Sequence, residues 1–129
     1  MRKVPPALLL GFTLLVICFT ISDASQEVIS AYDLRQAYNA NSEVTRQQYL
    51  NKTIQIKGVV VSKGMSRYLT PNVELSDRKD GPVLAICVLP RLDMNKLSNY
   101  APGQNVTFSG RVHALNENRI IIKESKTME

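Results

Sequence analysis

Residues 53–61 read Thr53-Ile54-Gln55-Ile56-Lys57-Gly58-Val59-Val60-Val61, and this stretch decides the fold. Ile54 and Ile56 alternate with Gln55 and Lys57, the period of two that marks a strand with one face on a core. After Gly58 the alternation gives way to the continuous apolar run Val59-Val60-Val61. A glycine in the middle of a β-branched strand marks a bulge or a sharp bend. Without a Cβ to resist the bend, Gly58 lets one long strand pair in both halves of a barrel.

On the C-terminal side the strands continue. Lys63-Gly64 opens a loop, Tyr68 to Leu75 predicts a second strand, and Asp77 to Pro82, containing Asp80-Gly81, predicts a turn. Val83 to Leu89 is a third strand, ended by Pro90. Arg91 to Tyr100 sets Leu92, Lys96 and Leu97 at helical spacing and stops at Pro102-Gly103. Along the fourth strand Val106, Phe108, Gly110, Val112 and Ala114 face one way, and Thr107, Ser109, Arg111 and His113 face the other. Asn116-Glu117-Asn118 is a hairpin loop and Arg119 to Lys123 the fifth strand. Three strands, a short helix and two more strands, the first strand kinked by glycine, is the order of an OB-fold, a five-stranded, partly open Greek-key barrel. An SH3-like small barrel would not ordinarily hold a helix of this length between its third and fourth strands. The fold class is therefore mainly β: an OB-fold barrel over 53–125, with a helix between strands three and four and a disordered tail at 126–129.

On the N-terminal side, 25–52 reads as a helical prelude. Ser30 with Asp33 is a capping pair, and Ala31, Leu34, Ala37 and Tyr38 share one helical face. Asn39-Ala40-Asn41 breaks the helix. Asn41 then caps a second helix through Leu50, with Val44 and Gln48 one turn apart and Tyr49 near its end. Residues 1–24 read as a secretory signal: a basic Arg2-Lys3, an uncharged run from Ala7 to Ile21, and the small residues Ser22 and Ala24 before a cut at Ser25. A spanning helix needs about 20 apolar residues, and Pro5-Pro6 disturbs the start of this run. The expected location is the periplasm or another exported compartment, with a membrane contact only through the N-terminal segment if it stays uncleaved. Cys18 follows the bulky Ile17, which argues against lipid attachment there.

The whole chain of 129 residues carries 16 Lys+Arg against 11 Asp+Glu, a net charge of +5, and 44% hydrophobic residues. These values fit one domain with a core and exclude wholesale disorder and a disulfide scaffold. After cleavage one cysteine is left, Cys87, so no intramolecular disulfide forms. Set within Val83 to Leu89, it reads as a buried small hydrophobe. His113, the one histidine, lies too far along the sequence from Cys87 for a zinc site or a Cys-His nucleophile that still lacks its other partners. Glu74, Asp77 and Asp80 cluster near a turn without the dense oxygen ligation of a calcium loop. The Asn51-Lys52-Thr53 and Asn105-Val106-Thr107 triplets match a glycosylation pattern that arises often by chance. No catalytic residue, cofactor or metal is expected, and the chain reads as a non-enzyme.

The run Leu34, Tyr38, Asn41, Tyr49, Lys52, Ile54, Ile56, Gly58 and Val60, followed by Gly103-Gln104-Asn105-Val106 and Gly110, resembles the tRNA-anti-like group of exported bacterial OB-fold proteins, many of them lipoproteins. Thr45 stands where that pattern has a small apolar alanine, and the lipobox is missing. The resemblance implies shape more than substrate. OB domains that bind nucleic acid combine a basic groove with aromatics on strands two and three and with flanking loops. Lys57, Lys63, Arg67, Arg78, Lys79, Arg111, Arg119 and Lys123 supply the basic component, whereas Tyr68 is the one aromatic for stacking. The candidate ligand-binding face is Lys63, Arg67, Tyr68, Arg111, His113 and Arg119. The function expected is a non-catalytic binding or scaffolding module of the bacterial envelope, contacting a protein or glycan. Single-strand nucleic-acid binding is the alternative.

Overall fold

The computed structural model describes residues 28–128; the signal segment read over 1–24 lies outside the described residues. In chain order the elements are β1 (Val28–Ser30), α1 (Ala31–Ala40), α2 (Ser42–Tyr49), β2 (Thr53–Met65), β3 (Pro71–Ser76), β4 (Ala85–Val88), a 3₁₀ segment (Arg91–Asn99), β5 (Asn105–Leu115) and β6 (Ile120–Thr127). The sheet runs β1-β2-β3-β4-β6-β5 and closes through β2–β5 pairing. Strands β2 to β6 thus form a closed five-stranded barrel of the OB type, as the strand order predicts.

The long strand β2 makes closure possible. Thr53 to Val59 pairs antiparallel with β5, and Val59 to Met65 pairs antiparallel with β3. The change of partner falls beside Gly58, where a Cβ would lie 3.0 Å from both Leu75 Cβ and the Ser76 carbonyl oxygen. The register then shifts between Val60 and Ser62, so Val61 is an extra residue that bends the strand further. Ile54, Ile56 and Val60 point into the core with Val73, Leu75, Phe108, Val112, Ile120 and Ile122.

β5 departs from simple alternation. Val106, Phe108, Gly110 and Val112 face inward as expected, but the register with β6 shifts between Val112 and Ala114. His113 is the extra residue, and Leu115 rather than Ala114 is buried. Gly110 is required by crowding, since a Cβ there would lie 2.6 Å from Ile122 Cγ2 and 2.8 Å from the Lys123 carbonyl oxygen. β6 runs to Thr127, past the expected barrel boundary at 125. Glu124 takes up a left-handed backbone, with φ of 56°, and the strand regains its pairing at Ser109 and Phe108. Lys126 and Thr127, expected in the tail, therefore belong to the sheet.

The prelude holds both expected helices and one strand that was not expected. β1 pairs parallel with Gln55, Ile56 and Lys57, on the part of the β2 edge that β3 leaves open. Ser30 ends β1 and caps α1, its Oγ accepting the Asp33 N–H at 2.9 Å. Ala31, Leu34 and Tyr38 join the barrel core. Asn41 ends α1 and caps α2 through its Oδ1, which accepts the Val44 N–H at 3.1 Å. The buried residue of α2 is Thr45, not Val44 or Gln48; its hydroxyl donates to the Ala37 carbonyl oxygen at 2.9 Å. That bond explains the departure from alanine at this position, because a buried hydroxyl needs a partner and Thr45 has one.

The helix read over Arg91 to Tyr100 is a kinked 3₁₀ segment with no buried residue. Leu92 is 93% exposed. Tyr100, just beyond it, is buried and packs on Phe108 with ring centroids 5.5 Å apart, its hydroxyl bonded to Thr127 Oγ1.

Candidate ligand-binding faces

Two loops bracket the outer face of β3 and β4. The β2–β3 loop folds around Ser66, whose N–H donates to the Thr70 carbonyl and whose Oγ accepts the N–H groups of Tyr68 and Thr70. Leu69 takes a left-handed backbone there. Tyr68 is consequently a loop residue, 72% exposed, and not part of a strand as the sequence predicts. Arg67 is exposed beside it, and Arg91 donates to the Tyr68 carbonyl oxygen at 3.1 Å. At the other end of β4 lies the β5–β6 loop. Arg119 lines a shallow cleft there with Glu74, Leu84, Ile86 and Asn118. Three residue steps of β4, about 10 Å of strand, separate the two ends.

The six candidate residues do not converge. Lys63 faces Val73 across the β2–β3 pair, and its Nζ donates to the Leu97 carbonyl oxygen of the 3₁₀ segment at 2.9 Å. The extra residue Val61 is the cause, because it turns Lys63 to the inner side of the sheet at the barrel's end. Arg111 sits on β5 with its Nε 3.6 Å from Glu124 Oε1. His113 is the exposed bulge of the same strand. Arg67 with Tyr68 at one end and Arg119 at the other flank the face.

Between those ends the outer face of the sheet is composed differently from the expected basic groove. Asn72 and Glu74 of β3, Ile86 and Val88 of β4 and Ile121 of β6 alternate with buried residues and are half-buried. Ile121 lies beside Ile86, and Glu74 is opposite it on the other side. Glu74 accepts a hydrogen bond from Ser62 of β2. No aromatic side chain stands on β3, β4 or β6. The prelude leaves this face open: α1 rests on the barrel end and on the β5–β6 loop, where Arg35 donates to the Asn116 and Glu117 carbonyl oxygens at 2.9 and 3.3 Å. A second and larger cleft, about 660 Å³, runs over the opposite wall past Tyr32, Lys57, Val59, Thr107 and Met128.

Cys87 points into the core while His113 points to solvent. Burial pushes the Cys87 thiol up to about 12, although a hydrogen bond with Ser125 acts in the other direction. A thiol so placed stays protonated and unreactive near neutral pH. Among the described residues no three His, Cys, Asp or Glu side chains gather as metal ligands do.

A closed five-stranded barrel with an open β3–β4–β6 face and loops at both ends of it defines an OB-fold domain. The chain belongs to the tRNA_anti-like family, whose model matches residues 19–126. It is similar in structure to a Klebsiella pneumoniae protein described as a putative nucleic acid-binding lipoprotein, with a TM-score of 0.66, 18% identity, and coverage of 82% of this chain and 94% of that one. It is also similar to a putative aspartyl-tRNA synthetase from Leishmania major, with a TM-score of 0.51 and 16% identity; the match covers 87% of this chain and 22% of the synthetase chain. At these identities the likeness establishes the fold. No curated protein sequence matches the chain.

Proposed function

We propose that this protein is an exported, non-catalytic binding module of the bacterial envelope that holds a protein segment on the outer face of β3, β4 and β6. The observation that carries this reading is the make-up of the face: Ile86, Val88 and Ile121 form an apolar stripe beside the carboxylate of Glu74, with no ring on the strands. Burying an apolar stripe favours association by about 25 cal/mol per Å². A phosphate backbone crossing the same face would meet Glu74 at its middle. Stacking, worth about 1–3 kcal/mol per base, would rest on Tyr68 at the rim. The lipoprotein similar to this chain and the signal-like N-terminus both support an exported location.

Titration of the purified protein with single-stranded DNA at physiological salt tests the reading. Charge alone gives weak binding, with Kd of about 10⁻⁴ to 10⁻⁶ M, and Tyr68→Ala leaves it unchanged. A photo-crosslinker placed at Ile86 gives a discrete protein adduct in the envelope fraction. Sub-micromolar binding that depends on Tyr68 would replace the protein partner with a nucleic acid.

A further inference from the structure

A second site lies where the prelude meets the barrel. The α1–α2 hairpin and the β5–β6 loop enclose a cleft of about 620 Å³ lined by Tyr38, Arg46, Asn116, Glu117, Asn118 and Arg119. Its lining holds no aliphatic side chain, unlike the apolar pockets that take drug-like molecules. Three arginines serve it. The guanidinium carbons of Arg35 and Arg46 lie 5.5 and 5.8 Å from the centroid of the Tyr38 ring, and Arg46 donates to the Tyr38 hydroxyl at 3.4 Å. Stacking on a ring holds a guanidinium plane in place before any ligand arrives. Arg35 also secures the loop that carries Arg119, through the Asn116 and Glu117 carbonyls. Asn116 Oδ1 tightens that loop by accepting the N–H groups of Asn118 and Arg119 at 2.9 and 3.0 Å.

The charge at this cleft is not neutralised. The ion pairs among the described residues engage Arg78, Lys96 and Arg111, and none engages Arg35, Arg46 or Arg119. The Arg119 side chain has no hydrogen-bond partner among the described residues. The lining sets two guanidinium groups, Arg46 and Arg119, against one carboxylate, Glu117. Arg35, which holds the loop from outside the lining, raises the surplus of this cluster from one positive charge to two. A carboxylate or a phosphodiester brings one negative charge, whereas a terminal phosphate brings close to two at neutral pH, because its second pKa is about 6.

We propose that the cleft between the α1–α2 hairpin and the β5–β6 loop binds a terminal phosphate group, gripped by Arg46 and Arg119 while Arg35 positions the loop. The site shares Asn118 and Arg119 with the rim of the sheet face, but it needs no ligand on that face and stands or falls without one. The ligand is either a small phosphate monoester or the 5′-phosphate of a nucleic-acid strand.

Titration of the purified chain with inorganic phosphate, followed by amide NMR and calorimetry against chloride at equal ionic strength, tests the proposal. Phosphate shifts the amides of Asn116 to Arg119. Arg46→Gln and Arg119→Gln each weaken binding by about tenfold, the loss of one charge-assisted guanidinium pair. Arg67→Gln, at the other end of β4, leaves it within about twofold. A 5′-phosphorylated oligonucleotide that competes better than its 5′-hydroxyl counterpart assigns the site to strand ends; equal competition by the two assigns it to small monoesters. Arg119→Gln disturbs no packing, so it decides the matter if Arg46→Gln fails to fold. No shift beyond that of chloride, or phosphate binding by Arg119→Gln equal to the parent, would overturn the proposal.

Discussion

Two helical segments flank the barrel and obey opposite rules. α1 is capped at both ends, by Ser30 and Asn41, and buries Ala31, Leu34 and Tyr38 in the core. The segment Arg91–Asn99 has no side-chain cap and no fully buried residue, only Leu97 resting partly buried against the core, and is held by Lys63 Nζ on the Leu97 carbonyl and by Arg91 on the Tyr68 carbonyl. Both sequences show apolar residues at helical spacing. The difference teaches that spacing makes a helix only where a surface waits for its apolar face. Leu34 has the barrel end to fill, while Leu92 has only water.

The contrast gives a graded set of stability changes, each read by denaturant titration or thermal melting. Leu34→Ala, at a site with no exposure, costs about 2–5 kcal/mol, the range for a cavity in a packed core. A loss below about 1 kcal/mol would mean that α1 is as loosely attached as the 3₁₀ segment. Gly58→Val comes next, at about 1–3 kcal/mol, because its branched side chain would press on Leu75 and Ser76 in the wall beneath α1. An unchanged melt would place the bend of β2 wholly at Val61. Thr45→Val removes the hydroxyl that ties α2 to Ala37 and costs about 0.5–1.5 kcal/mol; a neutral result would show that α2 is held by Tyr49 and Leu50 alone. Leu92→Ala should change stability by no more than about 0.5 kcal/mol. A larger effect would reveal a packing role for the exposed segment and erase the contrast.

The barrel is legible in the sequence because its strands announce themselves locally. Alternation over Ile54 and Ile56, and over Val106 to Val112, follows from burial on one face, and Gly58 marks the change of partner. What escapes is what depends on distant partners. β1 is three residues long, too short for a period, and exists because β3 leaves part of the β2 edge unpaired. The bulges at Val61, His113 and Glu124 are not signalled by residue type, yet the first redirects Lys63 and the last extends β6 through Thr127. The candidate face suffered for the same reason: Arg67 sits on a flanking loop as read, Tyr68 and Arg119, read as the first residues of strands, sit on the flanking loops too, and Lys63 and Arg111 are engaged elsewhere. The arginine cleft escapes altogether, since Arg35 and Arg46 look like the solvent side of two helices until the β5–β6 loop is set against them.

The hydrogen bond from Arg35 to Asn116 spans 81 positions of the chain, and β2 waits for β5 to close the barrel. During synthesis, then, the first half of the molecule emerges before the barrel can close around its core. Contacts so distant in sequence form slowly, on a scale of about milliseconds to seconds. α1 lacks part of its seat until the final hairpin has left the ribosome, and a chain cut short before β5 keeps every residue of the prelude and the β2 edge that β1 pairs with, yet loses the β5–β6 loop that Arg35 binds. The prelude and the last hairpin complete each other's structure.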